Sequence, residues 1–579
     1  MTADEIEAKA RAGVPIDEAV LHAVDLRGRN LSGVIFSGAR LLHVNLGGAD
    51  LTGARFTDTQ LVGCDLRGAR LEKSTFERSM FLGCDMAGVV FGAARLRTTV
   101  FGGATDMSNA DLRSVEGKEV SFATACLDGA NLAGAEISEA AFVNANIARA
   151  DFSKTKLTSC MFGLADGPGA RFTDAEISQV SFTQALLRGA DFSGARVDQV
   201  IFSRADLRGA RLPKKITSSA FEGVLVERPD LSGASIETSI FAEANLDGGS
   251  LEEAVIKSSS FGRASLRGVR LDHASIELSD FQGADFEGAT FEKTKLTMST
   301  LSGAKLRGVD LSDQDLEIVT LDGADLTGAK LVGARLDKVI LSECALGAVD
   351  FSRARLNAVV LRASNIDGAK LEGATFERVV FDEVGLKHVK LEGLRMQRCK
   401  FSEAALDGVT VKSCDLTGSE LGKADATSAR FVDCTLKMTN WKGAKLDKAN
   451  FAGAMMKGSF FGEASLRGTN FTQCMLRFST FTRADIRAAN FKGAKLRETM
   501  LDEVKAEDAS FEGADLAYAD LSNSDARRAD FRDADLSHAL FHNVKEDGAS
   551  FAGASTFTMR KTDIDRLEAE AFRPPRRPV

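Results

Sequence analysis

Between Gly323 and Glu343 the chain reads GADLTGAKLVGARLDKVILSE, with Leu326, Leu331, Leu336 and Leu341 five apart. A small residue (Ala324, Ala329, Ala334 or Val339) stands two places before each, and the positions between are polar or Gly apart from Val332 and Ile340. A spacing of five matches neither the 3.6 of a helix nor the two of a strand, so neither amphipathic element accounts for it. The chain must change direction every five residues. Centres of this kind run at Leu26, Leu31, Phe36 and Leu41 on to Phe101. One residue is gained within Gly102 to Asp106, one is lost around Pro213 to Lys215, and the frame is then unbroken from Ile216 to Phe551. That makes about 107 pentads.

A longer period sets the cross-section. Phe recurs every twenty residues at Phe431, Phe451, Phe471, Phe491, Phe511, Phe531 and Phe551, as does Ile at Ile216, Ile236, Ile256 and Ile276. Like residues stack only if residue twenty returns above residue zero, so four pentads make one coil of a solenoid. The column Phe81, Phe101, Phe122, Phe142 onward to Phe202, Phe221 and Phe241 crosses both slips by one step of 21 and one of 19. The slips are therefore expected to be local bulges and not domain boundaries. At about 4.8 Å per coil, about 27 coils predict a rod about 130 Å long.

The repeats ADLTG, AKLVG, ADFSG and ANLAG resemble the A(D/N)LxG motif of the pentapeptide-repeat family over nearly the whole chain. The resemblance implies an all-β fold, a right-handed quadrilateral parallel β-helix, with the centre and the residue two before it pointing inward. It also implies what such proteins do: some long bacterial members accompany secretion machinery as effectors or effector-loading accessories, and shorter members mimic B-form DNA and bind DNA gyrase.

Short helical caps are expected at both ends. Residues 1–20 read as an N-terminal cap, with a helix over 2–12 starting at Thr2, ended by Gly13 and Pro15, and a second helical turn from Asp17 to Ala23. The solenoid is assigned to 21–552 as one continuous domain. Bulges are expected near 102–106, 163–169 and 213–215, the GLADGPG stretch at 163–169 being the one to loop outward. Irregular centres (Gly117, Gly167, Ala426, Ala506, Ala526 and Glu546) read as weaker coils. Within 553–579, Thr562 to Phe572 reads as a closing helix with Thr562 as N-cap, followed by a basic, proline-rich tail.

Composition narrows the function. Of 579 residues, 44% are hydrophobic and 27% charged, with 53 Gly, seven Pro and 38 Phe beside one Trp and one Tyr, which argues for a narrow ordered core against disorder. The formal charge of −9 is small for this length and names no partner. No apolar run reaches the span of a bilayer and the N-terminus carries acids where a signal peptide would be basic, so a soluble cytoplasmic protein is expected, with export by a signal-less route left open.

Nothing reads as chemistry. Cys64, Cys84, Cys160, Cys344, Cys399, Cys414, Cys434 and Cys474 occupy the inward slot two before a centre. The pairs 64/84 and 414/434 invite a metal or disulfide reading, but no His or third Cys stands beside them, so buried thiols are expected. His538 and His542 lack a zinc motif and read as surface residues. The Asp residues of ADL are products of the repeat, and no phosphate-binding loop or nucleophile elbow is present. The expectation is a protein without catalytic residues, bound cofactor or metal.

One exterior feature stands out. On one of the four sides the outward residue before the centre is often apolar: Met80, Val100, Met161, Ile201, Ile240, Ile340, Val360, Val380, Phe460, Met500 and Leu540. Either this side is a flat sheet that favours β-branched residues, or it is an interaction stripe. A rod-like scaffold or adaptor for a protein partner, with homodimerisation through this side open, is therefore the first expectation. A gyrase-binding DNA mimic is the alternative, weakened by columns that mix Asp310 and Asp350 with Lys330 and Lys370. Direct nucleic-acid binding is not expected, since no basic stripe with interleaved aromatics is read and the isoelectric point is about 5.5.

Overall fold

The computed structural model describes residues 1–572; the basic, proline-rich segment 573–579 lies outside them. Almost every described residue belongs to a parallel β-solenoid with two short helices. Where the pattern predicts one continuous domain, contacts divide the chain into two compact units, Met1–Lys295 and Leu296–Val579. A coil touches only the coils beside it, so a long array has no single core.

In the first unit each coil forms four parallel ladders, as in Asp25↔Asn45, Asn30↔Asp50, Ile35↔Arg55 and Arg40↔Gln60. The twenty-residue register follows from the alternation of inward and outward side chains, because a slip of one would turn every centre to solvent. One ladder runs Phe36↔Phe56↔Phe76↔Leu96, steps by 21 to Gly117, and later steps by 19 from Val197 to Ile216. The 21-step is made at Gly103 and Ala104, both in left-handed backbone. A Cβ on Gly103 would lie 3.1 Å from the Gly83 amide nitrogen, so a side chain at this left-handed corner would press on the backbone of the neighbouring coil. The Phe column stacks in parallel, with ring centroids 5.2 Å apart for Phe101 and Phe122 and 4.8 Å for Phe202 and Phe221.

The second unit repeats the plan. Leu296↔Leu316, Leu316↔Leu336 and Leu336↔Leu356 continue at twenty-residue steps. Phe431, Phe451 and Phe471 stack at 4.7 and 5.3 Å, and the single Trp, Trp441, stands edge-on to the first two. Its indole N–H donates to Thr439 Oγ1 at 2.9 Å, so the one polar atom of a fully buried ring is satisfied.

Several expectations need correction. The helix Ala3–Ala12 has the expected Thr2 cap, closed reciprocally by Glu5, and buries Ile6 and Ala10; Arg29 of the first coil holds it through Asp4 and Glu7 at 2.9 and 2.8 Å. No second helical turn follows. Ile16 is already a pentad centre, pairing with Phe36, and Val20–His22 pairs with Arg40–Leu42, so the solenoid starts at 16 and not 21. The stretch 163–169 does not loop outward. Its amides bond normally, Leu164 to Thr183 O at 3.1 Å and Gly167 to Leu186 O at 2.8 Å, because Gly163, Pro168 and Gly169 sit at turn positions the frame already provides.

Gly167 keeps the place of a centre in the frame. A Cβ there would lie 2.9 Å from Ile147 Cδ1 and 3.1 Å from Leu187 Cδ2, so side chains from the coils on either side already fill its slot. The ladders also continue past 552, through Ser555 and Arg560.

The helix Ile564–Ala571 is capped by Asp563, not Thr562, and buries none of its residues. The final coil has Glu546 and Thr556 at centre positions and offers little apolar interior to seal. His542 anchors this segment instead: its Nδ1 accepts from the Asp563 N–H at 3.2 Å and its Nε2 faces Glu570 Oε2 at 3.3 Å. His542 is thus buried, at 4% exposure, and not a surface residue.

Candidate interaction surface

Each pentad exposes three positions: the residue before the centre, the one after it, and the next, which turns the corner. The corner residue has positive φ even where it is not Gly, as at Ile318 (54°), Met438 (55°) and Phe478 (63°). The four-sided frame overrides local preference here.

The Asp and Asn of the repeat serve this turn. Asp50 Oδ1 accepts the Thr52 N–H at 3.1 Å, Asp65 the Arg67 N–H at 3.0 Å, and Asn131 the Ala133 N–H at 3.0 Å. The motif's Asp is therefore a turn cap. The Ser232 backbone N–H, then its hydroxyl and Lys214, hold the Asp230 carboxyl at about 2. Asp485, despite partial burial that pushes it up, is held at about 2 by Arg487 and Arg467. Both lie below their ordinary 3.8 in the folded chain, so their contribution to stability is complete above about pH 4 and is lost as pH falls toward 2. Urea midpoints followed by circular dichroism are expected to be level from pH 7 to 5 and to fall steeply below 4.

The eight inward cysteines are buried among Ser and Thr of the same slot and make the same bond. Cys64 Sγ donates to the Leu41 carbonyl at 3.3 Å, as Thr59 Oγ1 does to Phe36 at 3.2 Å and Ser79 Oγ to Phe56 at 3.1 Å. Burial pushes the Cys399 and Cys474 thiols up to about 12. Among the described residues no group of three His, Cys, Asp or Glu side chains comes together to hold a metal ion. An open groove of about 390 Å³ lies over Gly117 between Arg95, Lys118, Glu136 and Lys156; Arg95 there pairs with Glu116 at 3.0 Å.

The expected stripe lies on one ladder within each unit. In the first, Met80 pairs with Val100, and the ladder runs through Ser121, Ala141, Met161, Ser181, Ile201, Ala220 and Ile240. In the second, Ile340, Val360 and Val380 follow one another directly; beyond Lys400, Glu420 and Asn440 come Phe460, Thr480, Met500, Asp520 and Leu540. The apolar positions are thus interrupted except at 80–100 and 340–380. Met161, Ile201, Ile240, Ile340 and Met500 are exposed; Met80, Val100, Val360, Val380, Phe460 and Leu540 are half-buried.

Reading only the position before the centre misses the corner beside this ladder. Met298 and Ile318 are exposed there, and further on Lys437, Lys457, Arg477 and Arg497 recur every twenty residues beside Met438, Phe478 and Tyr518. This is a basic column with interleaved aromatics, the feature read as lacking. The twenty-residue spacing, applied to the two positions after each centre, would have found it. Elsewhere charges pair coil to coil, Lys330 with Asp310 at 3.4 Å, Lys412 with Glu392 at 2.8 Å and Arg528 with Asp508 at 2.7 Å. No helix among the described residues is long and apolar enough to cross a membrane.

Comparison with known proteins gives matches to the model for pentapeptide repeats (8 copies) at 19–58, 59–97, 274–313, 304–342, 320–357, 340–378, 424–462, 464–501 and 507–544, and to that for a pentapeptide repeat region at 135–212. No curated protein matches the chain. Among solved structures it is similar to trypsin-treated QnrB1, a plasmid-mediated fluoroquinolone resistance protein, at 19% identity over 43% of this chain and 98% of that one, TM-score 0.14. It is similar to HetL, a pentapeptide repeat protein involved in heterocyst differentiation regulation from the cyanobacterium Nostoc sp. strain PCC 7120, at 24% identity over 44% and 89%, TM-score 0.13. A pentapeptide repeat protein from the Arabidopsis thaliana thylakoid lumen matches at 24% identity over 20% and 69%, TM-score 0.14.

Proposed function

Since this chain belongs to the pentapeptide-repeat family, we propose that it is a non-catalytic scaffold that holds a protein partner along the ladder segment Ile340, Val360 and Val380. The supporting observation is the same corner one and two coils earlier, beside Thr320 and Thr300 of this ladder. Met298 and Ile318 are 42% and 44% exposed in turns with φ of 47° and 54°. Strand propensity explains apolar residues on a flat face, but it gives no reason for an exposed β-branched side chain in left-handed backbone. Burial against a partner does.

The DNA-mimic reading fits less well. A mimic needs a continuous acidic exterior, whereas Asp310, Asp350 and Glu392 are paired with Lys330, Lys370 and Lys412 of the next coil. Gyrase supercoiling is expected to be unchanged by micromolar protein.

The double substitution Val360→Lys and Val380→Lys tests the scaffold. Both side chains point outward, so stability is expected to shift by less than about 1 kcal/mol. Affinity capture from the native cell, read by mass spectrometry, should lose the proteins that the wild type retains, or sedimentation should lose a wild-type dimer. An identical set of captured proteins and identical sedimentation would leave this side as a plain sheet face.

A further inference from the structure

We propose that the corner from Lys437 to Tyr518 docks an acidic amphipathic helix of a partner protein. The proposal rests on the scaffold reading but not on the 340–380 segment. Two ladders flank this corner, Thr435↔Met455↔Met475↔Lys495 on one side and Asn440↔Phe460↔Thr480↔Met500 on the other.

The corner combines two features. The first is apolar surface: Met438 is 64% exposed, Met475 51% and Phe478 43%, with Met455 and Met500 also exposed. Phe460 has a seat of its own, its ring lying across Gly462, where a Cβ would come within 2.8 Å of Cε1. Methionine side chains adapt to varied apolar partners.

The second is charge. Lys437, Lys457, Arg477, Lys495 and Arg497 surround Glu498, which bonds Arg477 at 2.7 Å and lies 3.5 Å from Arg497, while Asp515 is the ladder neighbour of Lys495. Among the described residues Lys437, Lys457 and Lys495 have no ion-pair partner. A local excess of three positive charges on a chain of net −9 favours an acidic occupant. Carboxylates bound the patch on both ladders, Asp415 and Glu420 before it, Asp515 and Asp520 after.

The rings disfavour a nucleic acid. Phe478 already carries Arg477 at 4.5 Å and Lys457 at 5.3 Å from its centroid, and Tyr518 carries Arg497 at 5.0 Å and stacks on His538 at 4.7 Å. The faces on which a base would stack are occupied. Four coils span roughly 19 Å, the length of about twelve residues of helix. Apolar anchors with acidic flanks on such a helix would meet the Met surface and the cation column together.

The test titrates a fluorescein-labelled synthetic helix of Leu anchors flanked by Glu into the full chain, beside polyglutamate, oligothymidylate and phosphatidylserine vesicles. Wild type should bind the amphipathic peptide in preference to the other three. Lys437→Glu with Lys457→Glu should weaken it by about tenfold or more, and Gly462→Ala, which displaces the Phe460 ring without changing charge, by a smaller but measurable factor. Trp441 emission confirms that the variants fold. Equal affinity of the charge variant, polyglutamate binding as well as the peptide, or preference for the oligonucleotide or the vesicles overturns the proposal. So does a dimer of the chain alone that the charge variant abolishes, since a second copy would then be the occupant. The two readings fail separately: the Val360→Lys and Val380→Lys variant should bind the peptide normally, loss of its captured partner while wild type ignores the peptide rejects this corner alone, and unchanged capture by that variant while wild type binds the peptide rejects the 340–380 segment alone.

Discussion

Phe451→Ala is expected to destabilise the second unit by about 3–5 kcal/mol, the range for deleting a fully buried aromatic ring. That ring is sandwiched between Phe431 at 4.7 Å and Phe471 at 5.3 Å, with Trp441 edge-on at 5.6 Å. Removing it deletes two stacked contacts and one edge contact, and the ladder bonds of Phe451, whose N–H donates to Asn470 O at 2.8 Å, prevent the coils from closing over the gap. Trp441 touches the deleted ring, so its emission reports the local transition directly. A urea midpoint unchanged from wild type would mean that the Phe column does not carry the core.

Leu331→Ala is expected to cost about 2–5 kcal/mol, and Lys330→Ala less than about 1 kcal/mol. The two residues are adjacent. Leu331 is 1% exposed, while Lys330 reaches outward to Asp310 across 3.4 Å in a pair that is well solvated on both sides. Thermal melts of the two variants separate inward from outward at one pentad. Equal shifts in Tm would contradict the assignment on which every surface position in this protein depends.

Most of the fold was legible because one physical constraint repeats. Leu331 and Ala329 are inward, Lys330 is outward, and the same rule places the steps of 21 and 19, since a gained or lost residue must be absorbed at a corner to keep Phe101 under Phe122 and Phe202 under Phe221. What was not legible depends on contacts that the local pattern does not contain. Gly167 reads as a hole in the sequence, but Ile147 and Leu187, twenty residues away on either side, lean into it. His542 reads as exposed, but the returning segment at Asp563 and Glu570 covers it. Pro15 conceals the first centre at Ile16.

The candidate surface was half legible. The ladder positions Met80 and Val100 in the first unit and Ile340 to Val380 in the second follow from the place before each centre, which strand alternation turns outward. The corner does not, because bulky residues such as Ile318 and Phe478 are poor candidates for left-handed turns and draw no notice as turn residues. In this fold the turn is imposed by closure of the coil, so a bulky residue at the corner leaves no mark on the repeat by which to notice it.

That closure separates two variables that most proteins couple. In the second unit, excising twenty residues would remove one whole layer and leave every remaining side chain on its original side. Excising five would keep inward residues inward but take downstream Phe residues off their column and rotate all downstream chemistry by one side, carrying Phe460 and Met500 away from the ladder shared with Val380. The inward and outward alternation thus has a quantum of five, while the ring column and the displayed surface share a quantum of twenty, so whole coils are the units this molecule can gain or lose with both kept.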